Sequence, residues 1–262
     1  LPTILRRLEA NWGISSIQGN PHPTYDTWSR NNPLPEFITA NLFGDLNLPE
    51  VSVRTPQARG ATDFREDMMP VLQAMKEYSP GRVSLRFGID GGDSRHWIPV
   101  PDINATAQQQ LPVDQFVSTY NTIGTFQYYQ PDDDIACDIR VVRPLEMKPQ
   151  LVPDQVTDFS NSRLSWHSQL IDTGEGIEVD IPNPSRWDSL IREIRFFTHN
   201  TQSPIEVRRF ATGCDVTLRL QTTQEIESHV AFIATEPGEA SPEPMAVGFQ
   251  INVDGFAVRF TL

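Results

Sequence analysis

Val247-Gly248-Phe249-Gln250-Ile251-Asn252-Val253-Asp254-Gly255-Phe256-Ala257-Val258-Arg259-Phe260-Thr261-Leu262 is the stretch whose reading sets the fold class. Val247, Phe249, Ile251 and Val253 alternate with small or polar residues. Successive side chains on a strand point to opposite faces, so a period of two places all four on one face. Asp254-Gly255 tolerates the positive φ angles of a two-residue turn, and Phe256, Val258, Phe260 and Leu262 resume the alternation. The stretch therefore reads as a β-hairpin with one buried and one wet face, the signature of antiparallel sheet.

Working outward, the same period recurs. Ile205 to Phe210 and Cys214 to Gln221 read as two strands joined by Ala211-Thr212-Gly213. Ile191 to Phe197 is a mixed strand. Ile177, Val179 and Ile181 alternate with Glu178 and Asp180 and stop at Pro182. Ile135, Cys137, Ile139 and Val141 form another strand, and Thr125 to Tyr129 a short aromatic one. In Arg82 to Asp90 the alternation predicts that Val83, Leu85, Phe87 and Ile89 turn inward. Between that strand and residue 112, Gly-Gly and Pro-Asp turns predict a long loop.

One segment reads as helix. Over residues 63–78, Phe64, Met68, Val71, Leu72 and Met75 recur at spacings of three and four, Asp63 and Glu66 fit a capping box, and Pro80-Gly81 ends the element. Pro70 marks either a kink or the start of a shorter helix. Before it, prolines at 21, 23, 33, 35, 49 and 56 predict an extended arm over residues 1–60 and a single β domain over 61–262. There is no βαβ rhythm. The expected fold is all-β: an eight-stranded antiparallel jelly-roll sandwich of about eight strands, with one or two short helices and the N-terminal arm.

Composition narrows the function. The net charge of −13 repels phosphate, so contact with nucleic acid would have to be local. Arg6/Arg7, Arg192/Arg195 and Arg208/Arg209 cluster, and each pair reads first as a solvated edge. Cys137 and Cys214 set no disulfide framework and read as small buried hydrophobes, which suits a reducing compartment. No apolar run is long enough to span a membrane. Leu1-Pro2-Thr3 does not open a signal peptide, and the absence of an initiator Met suggests a chain cut from a precursor.

The chemistry-bearing motifs are sparse. There is no G-x-S-x-G, no phosphate-cradling glycine loop, and no pairing of His22, His96, His167, His199 or His229 at metal-ligand spacing. Asp132-Asp133-Asp134, and Asp90 with Asp93, offer oxygens to a hard cation, yet lack the spacing of a calcium loop and read as solvated turns. Glu178 and Asp180, beside Glu175, would lie about 7 Å apart on one strand face, a separation that suits a glycosidase carboxylate pair. Trp97, Tyr128, Tyr129 and Trp166 could form a sugar-stacking platform, although core burial is the commoner fate of such rings. No catalytic, cofactor-binding or metal-ligating residue is assigned, no cofactor is expected, and the chain is expected not to be an enzyme.

The order of elements carries a resemblance. Tyr78-Ser79-Pro80-Gly81-Arg82-Val83-Ser84-Leu85-Arg86-Phe87 resembles the helix-to-strand passage of picornavirus-like capsid proteins. Gly176-Ile177-Glu178-Val179-Asp180-Ile181-Pro182-Asn183-Pro184 and Phe210-Ala211-Thr212-Gly213-Cys214-Asp215-Val216-Thr217-Leu218 are similar to later strands of the same subunits. The resemblance implies a major capsid protein of a small non-enveloped icosahedral positive-strand RNA virus, released by polyprotein processing. Implied partners are other capsid subunits, the packaged RNA genome through local contacts, and optionally a host receptor. The implied location is the virion, assembled in host cytoplasm. A carbohydrate-binding β-sandwich module and a jelly-roll glycosidase are the alternatives.

Overall fold

The computed structural model describes residues 49–57, 64–87, 95–129, 136–181, 189–198, 203–234 and 243–261. The expected arm up to residue 48, the Asp90/Asp93 and Asp132–Asp134 clusters, Asp63, Ile89, His22 and His199 lie outside those residues. Along the chain the strands are β1 (Glu50–Pro56), β2 (Phe64–Pro70), β3 (His96–Trp97), β4 (Gln109–Pro112), β5 (Val117–Tyr129), β6 (Ala136–Met147), β7 (Gln150–Leu151) and β8 (Asn161–Asp172). They continue as β9 (Ile177–Glu178), β10 (Ile191–Phe197), β11 (Ile205–Arg219), β12 (Glu225–Ile233), β13 (Met245–Val253) and β14 (Gly255–Phe260). One helix, α1 (Val71–Glu77), follows β2 directly. The chain divides into two compact units. The larger spans Leu48–Thr173 and Pro204–Val253, and the smaller draws on Gly174–Ser203 and Asp254–Leu262.

The larger unit is built on a nine-stranded sheet in the order β2-β1-β6-β13-β11-β12-β4, with β5 added to β6 and β8 to β11. Its spine is β11, 15 residues long. One edge of β11 pairs with β8, from Ile205↔Asp172 to Thr217↔Asn161, with a bulge between Ala211 and Cys214. The other edge pairs with β13 up to Ala211 and with β12 from Gly213 onward. A Cβ on Gly213 would stand 2.3 Å from the Val230 carbonyl oxygen, so glycine is what lets β12 approach where the partner changes. Ala211-Thr212-Gly213 is thus a partner switch within one strand, not the turn expected from sequence.

The main apolar cluster joins Val51 and Val53 of β1, Val71, Ala74 and Met75 of α1, Val216 and Leu218 of β11, and the Phe116–Phe232 ring pair at 5.4 Å. A smaller cluster gathers Phe126, Ile139, Val141, Phe210 and Ala246. Beside it the outer strands β5 and β8 meet through side chains: Gln169 Nε2 donates to the Gln127 carbonyl, and the Tyr128 ring stands edge-on to His167 at 4.8 Å.

The all-β expectation holds, but the wholly antiparallel order does not: β1–β6, β13–β6 and β12–β4 are parallel pairs. The helix expected over 63–78 is half strand. Pro70 adopts φ −55° and ψ 134°, an extended conformation, so the helix begins only at Val71. Upstream of it, Ser52 Oγ donates to Glu66 Oε1 at 2.7 Å across the β1–β2 ladder, which occupies the residue expected to cap. Glu50–Pro56, which the sequence reading placed in the arm, form β1, and Val51 and Val53 are fully buried.

Arg82 to Phe87 is not a strand. Ser84 makes an isolated antiparallel bridge to His96, Leu85 is 60% exposed, and the backbone turns at Arg86. The expected loop over 90–112 carries β3, with Trp97 in the core, and β4.

The hairpin read at Asp254-Gly255 is corrected too. β13 pairs with β11 and β6 in the larger unit, whereas β14 pairs with β10. The smaller unit is the sheet β14-β10-β9, in which β9 is only two residues long. Gly176 enters it at φ +67°, and Arg195 Nη1 donates to the Glu175 carbonyl at 2.8 Å.

Candidate functional site

A groove of about 660 Å³ lies in the larger unit where α1 and its exit turn run alongside β8 and β11. Lys76 stands exposed in the last turn of α1. The chain then passes through Ser79-Pro80-Gly81-Arg82. Gly81 sits at φ +84°, and a Cβ there would come within 2.4 Å of Val216 Cγ1, so this turn needs glycine for its backbone and for its packing. The Gly81 N–H donates to the Ile98 carbonyl at 2.9 Å, which fixes the turn against the core.

That turn delivers two polar side chains to β8. Ser162 Oγ donates to Ser79 Oγ at 2.6 Å. Arg82 Nη1 donates to Asn161 Oδ1 at 3.3 Å, with Nη2 3.8 Å from Glu77 Oε2. Along β8, Arg163 sits in register with Asp215 of β11 and is solvent-exposed. Further on, the Arg209 guanidinium carbon lies 4.8 Å from the centroid of the Trp166 ring, a cation–π contact across the two strands. Lys76, Arg82, Arg163 and Arg209 therefore line the groove with, among the described residues, a single carboxylate, Asp215. Asp215 is itself engaged by His229 Nδ1 at 2.8 Å.

The sequence-level candidates fare differently. Arg208 and Arg209 are neighbours on a strand and so face opposite ways. Arg209 joins the groove, while Arg208 lies 4.3 Å over the Phe126 ring and pairs with Glu206. Arg195 pairs with Glu193 in the smaller unit. Glu178 and Asp180 are both exposed, and Asp180 lies past the end of β9, so they do not form the expected face of a strand. Trp97 is buried and cannot serve as a stacking platform. Tyr128 packs edge-on against His167 and Phe210, and Trp166 alone of the described aromatics reaches the groove. Cys214 is buried with its thiol pushed up to about 12 by desolvation, while Cys137 is only half-buried. Among the described residues, no group of three or more His, Cys, Asp or Glu side chains could hold a metal ion, and no helix is long and apolar enough to cross a membrane.

Sequence reasoning missed the groove because its cations come from three separate segments, none of which is a basic run. Arg209 is the one member that lay in a visible pair.

Fold and groove together define a mostly β protein that carries a cationic cleft on an acidic body. No protein-family model matches the chain, and no curated protein matches it. Among solved structures it is similar to the crystal structure of DUF1998 helicase MrfA bound to DNA. The identity is 8% and the TM-score 0.37, over 82% of this chain and 18% of that one. The chain thus spans less than a fifth of that helicase's length.

The capsid resemblance is corrected at this point. The solved structure it is similar to is a helicase and not a capsid subunit, and two of the three motifs that suggested a capsid do not form the elements they were matched to. Tyr78–Phe87 is a helix end and turn, and Gly176–Ile181 holds a two-residue strand. Sister capsid subunits, a packaged genome and a host receptor are withdrawn as partners along with it, and so are the sugar-binding and glycosidase alternatives.

Proposed function

We propose that this chain is a binding module rather than an enzyme, and that the groove between α1, β8 and β11 receives a polyanion. The observation that carries this reading is the convergence of Lys76, Arg82, Arg163 and Arg209 on one groove of a molecule whose net charge is −13. Gathered like charges repel one another, and a multiply charged anion relieves that repulsion while its field steers the encounter. Lys76 and Arg163 have no ion-pair partner among the described residues, so both can engage a ligand. Among the described residues, Ser79 and Ser162 hydrogen-bond to each other and neither bonds to a histidine or a carboxylate, which favours binding over nucleophilic chemistry. We read the scaffold beneath the groove as a β-sandwich whose apolar clusters fill the space between its layers.

Inorganic polyphosphate is the simplest probe. Arg163→Glu and Lys76→Glu alter exposed side chains and should leave the melting temperature within a degree or two, since surface changes are typically worth about 0.5 kcal/mol or less. Each is expected to weaken polyphosphate binding roughly tenfold at low salt, because each removes one favourable charge and adds an unfavourable one. Each should also flatten the dependence of log affinity on log salt. Binding that these changes leave intact, but that Arg219→Glu outside the groove abolishes, would place the anion site elsewhere.

A further inference from the structure

We infer that the polyanion is a single-stranded nucleic acid, with one base stacked at Trp166; this rests on the polyanion reading of the same groove. Phosphate alone needs cations. The groove also presents an indole, and that ring is already paired with a guanidinium: Arg209 lies 4.8 Å from the Trp166 centroid. A flat cation over a flat ring is a platform that extends naturally by one more planar group, since both guanidinium and indole stack on bases. Trp166 is half-buried among core side chains, which holds the ring in one orientation before a ligand arrives.

The remaining cations line the same groove. Arg163, three residues back along β8, projects from the face opposite to Trp166 and borders the groove from the exposed side. Arg82 is braced by Asn161 and Glu77, so its fork is pre-oriented. Lys76 stands at the rim. A duplex is disfavoured on two counts. Its bases are stacked on each other and unavailable to Trp166, and its broad phosphate surface would meet the acidic remainder of a chain of charge −13. An acidic peptide or polyphosphate would satisfy the cations but add no planar group to the Arg209–Trp166 pair.

The experiment compares three ligands on the full chain: a 12-mer oligothymidylate, the same oligomer annealed to its complement, and polyphosphate. It uses wild type, Trp166→Ala, Trp166→Phe and Arg163→Gln. Single strand is expected to bind tightest. Trp166→Ala should weaken the oligomer roughly tenfold, in line with the loss of one base–aromatic stack, and leave polyphosphate unchanged. Trp166→Phe should restore most of that loss. Arg163→Gln should weaken both ligands. Tryptophan fluorescence should be quenched by the oligomer in wild type, with the quench largely lost in Trp166→Phe. If Trp166→Ala proves unfolded, Trp166→Phe and the quench still decide the matter. Equal affinity for oligomer and polyphosphate, unaffected at Trp166, overturns the base-stacking inference while the polyanion reading stands. Binding of neither ligand by wild type at low salt overturns both.

Discussion

At the scale of single residues, His96 shows how a buried polar group sets a pH dependence. The ring is fully buried on β3, and its Nε2 lies 2.8 Å from the Pro56 carbonyl, which can only accept. Nε2 therefore carries the proton, and Nδ1 holds a lone pair with no partner among the described residues. A second proton would have to go onto Nδ1 in a dry site. Desolvation accordingly holds the pKa below the ordinary 6.5, against the opposing pull of the Pro56 bond.

The sign follows from that direction. Above the unfolded pKa of about 6.5 both states are neutral at this residue and it adds no pH dependence. As pH falls below that value the unfolded chain takes up a proton that the folded chain refuses, so stability declines until the folded pKa is reached. Chemical denaturation between pH 7.5 and 5 should show this fall in wild type and a shallower one in His96→Gln, with His167, also shifted down by burial, supplying part of the remainder. Parallel curves for the two proteins would mean that His96 is protonated while folded. None of this was legible in the sequence, where His96 is one of five scattered histidines. Its role comes from Pro56, 40 residues away. Arg209 tells a similar story: its neighbour Arg208 made the pair visible, but only the strand geometry separates the groove-facing member from the other.

At the scale of elements, β11 organises the larger unit by holding β8 on one edge and two successive partners on the other. That exchange depends on Gly213, because a Cβ there would collide with the Val230 backbone carbonyl rather than with a side chain able to rotate away. Gly213→Ala should destabilise the protein by about 1–3 kcal/mol, the usual range for overpacking, as measured by urea denaturation. An unchanged midpoint would mean that β12 does not pair in this register.

Other elements show what alternation can and cannot reveal. Ile139 and Val141 of β6, and Val247 and Phe249 of β13, are buried as their spacing predicts. The alternating Leu85 is exposed, because Ser84 is taken by the bridge to His96 and the chain then turns. Asp254-Gly255 has ideal hairpin chemistry, yet β14 finds its partner in β10, since local turn propensity does not decide which edge a strand will meet. Periodicity also passed over β12, where Ile226, Val230 and Phe232 are buried but the intervening Glu225, Glu227, Ser228 and His229 made the segment look like surface.

Across the whole molecule, charge is unevenly distributed, with four cations gathered at one groove of a chain of net charge −13. A net charge of −13 argued against nucleic acid over a broad face. What it could not show is that α1, β8 and β11 bring four cations to one place from distant parts of the chain. All-β architecture was legible because period-two patterning is local. The parallel pairings and the division into two units were not, because they depend on long-range partners.

Backbone hydrogen–deuterium exchange with and without the 12-mer oligothymidylate tests the central claim most directly, since it reports where a ligand sits without presuming which residue binds it. Slowed exchange is expected in peptides covering residues 76–82, 161–166 and 209–215, with β9, β10 and β14 unchanged. Protection confined to β9, β10 and β14, or to any surface away from these three segments, would contradict it.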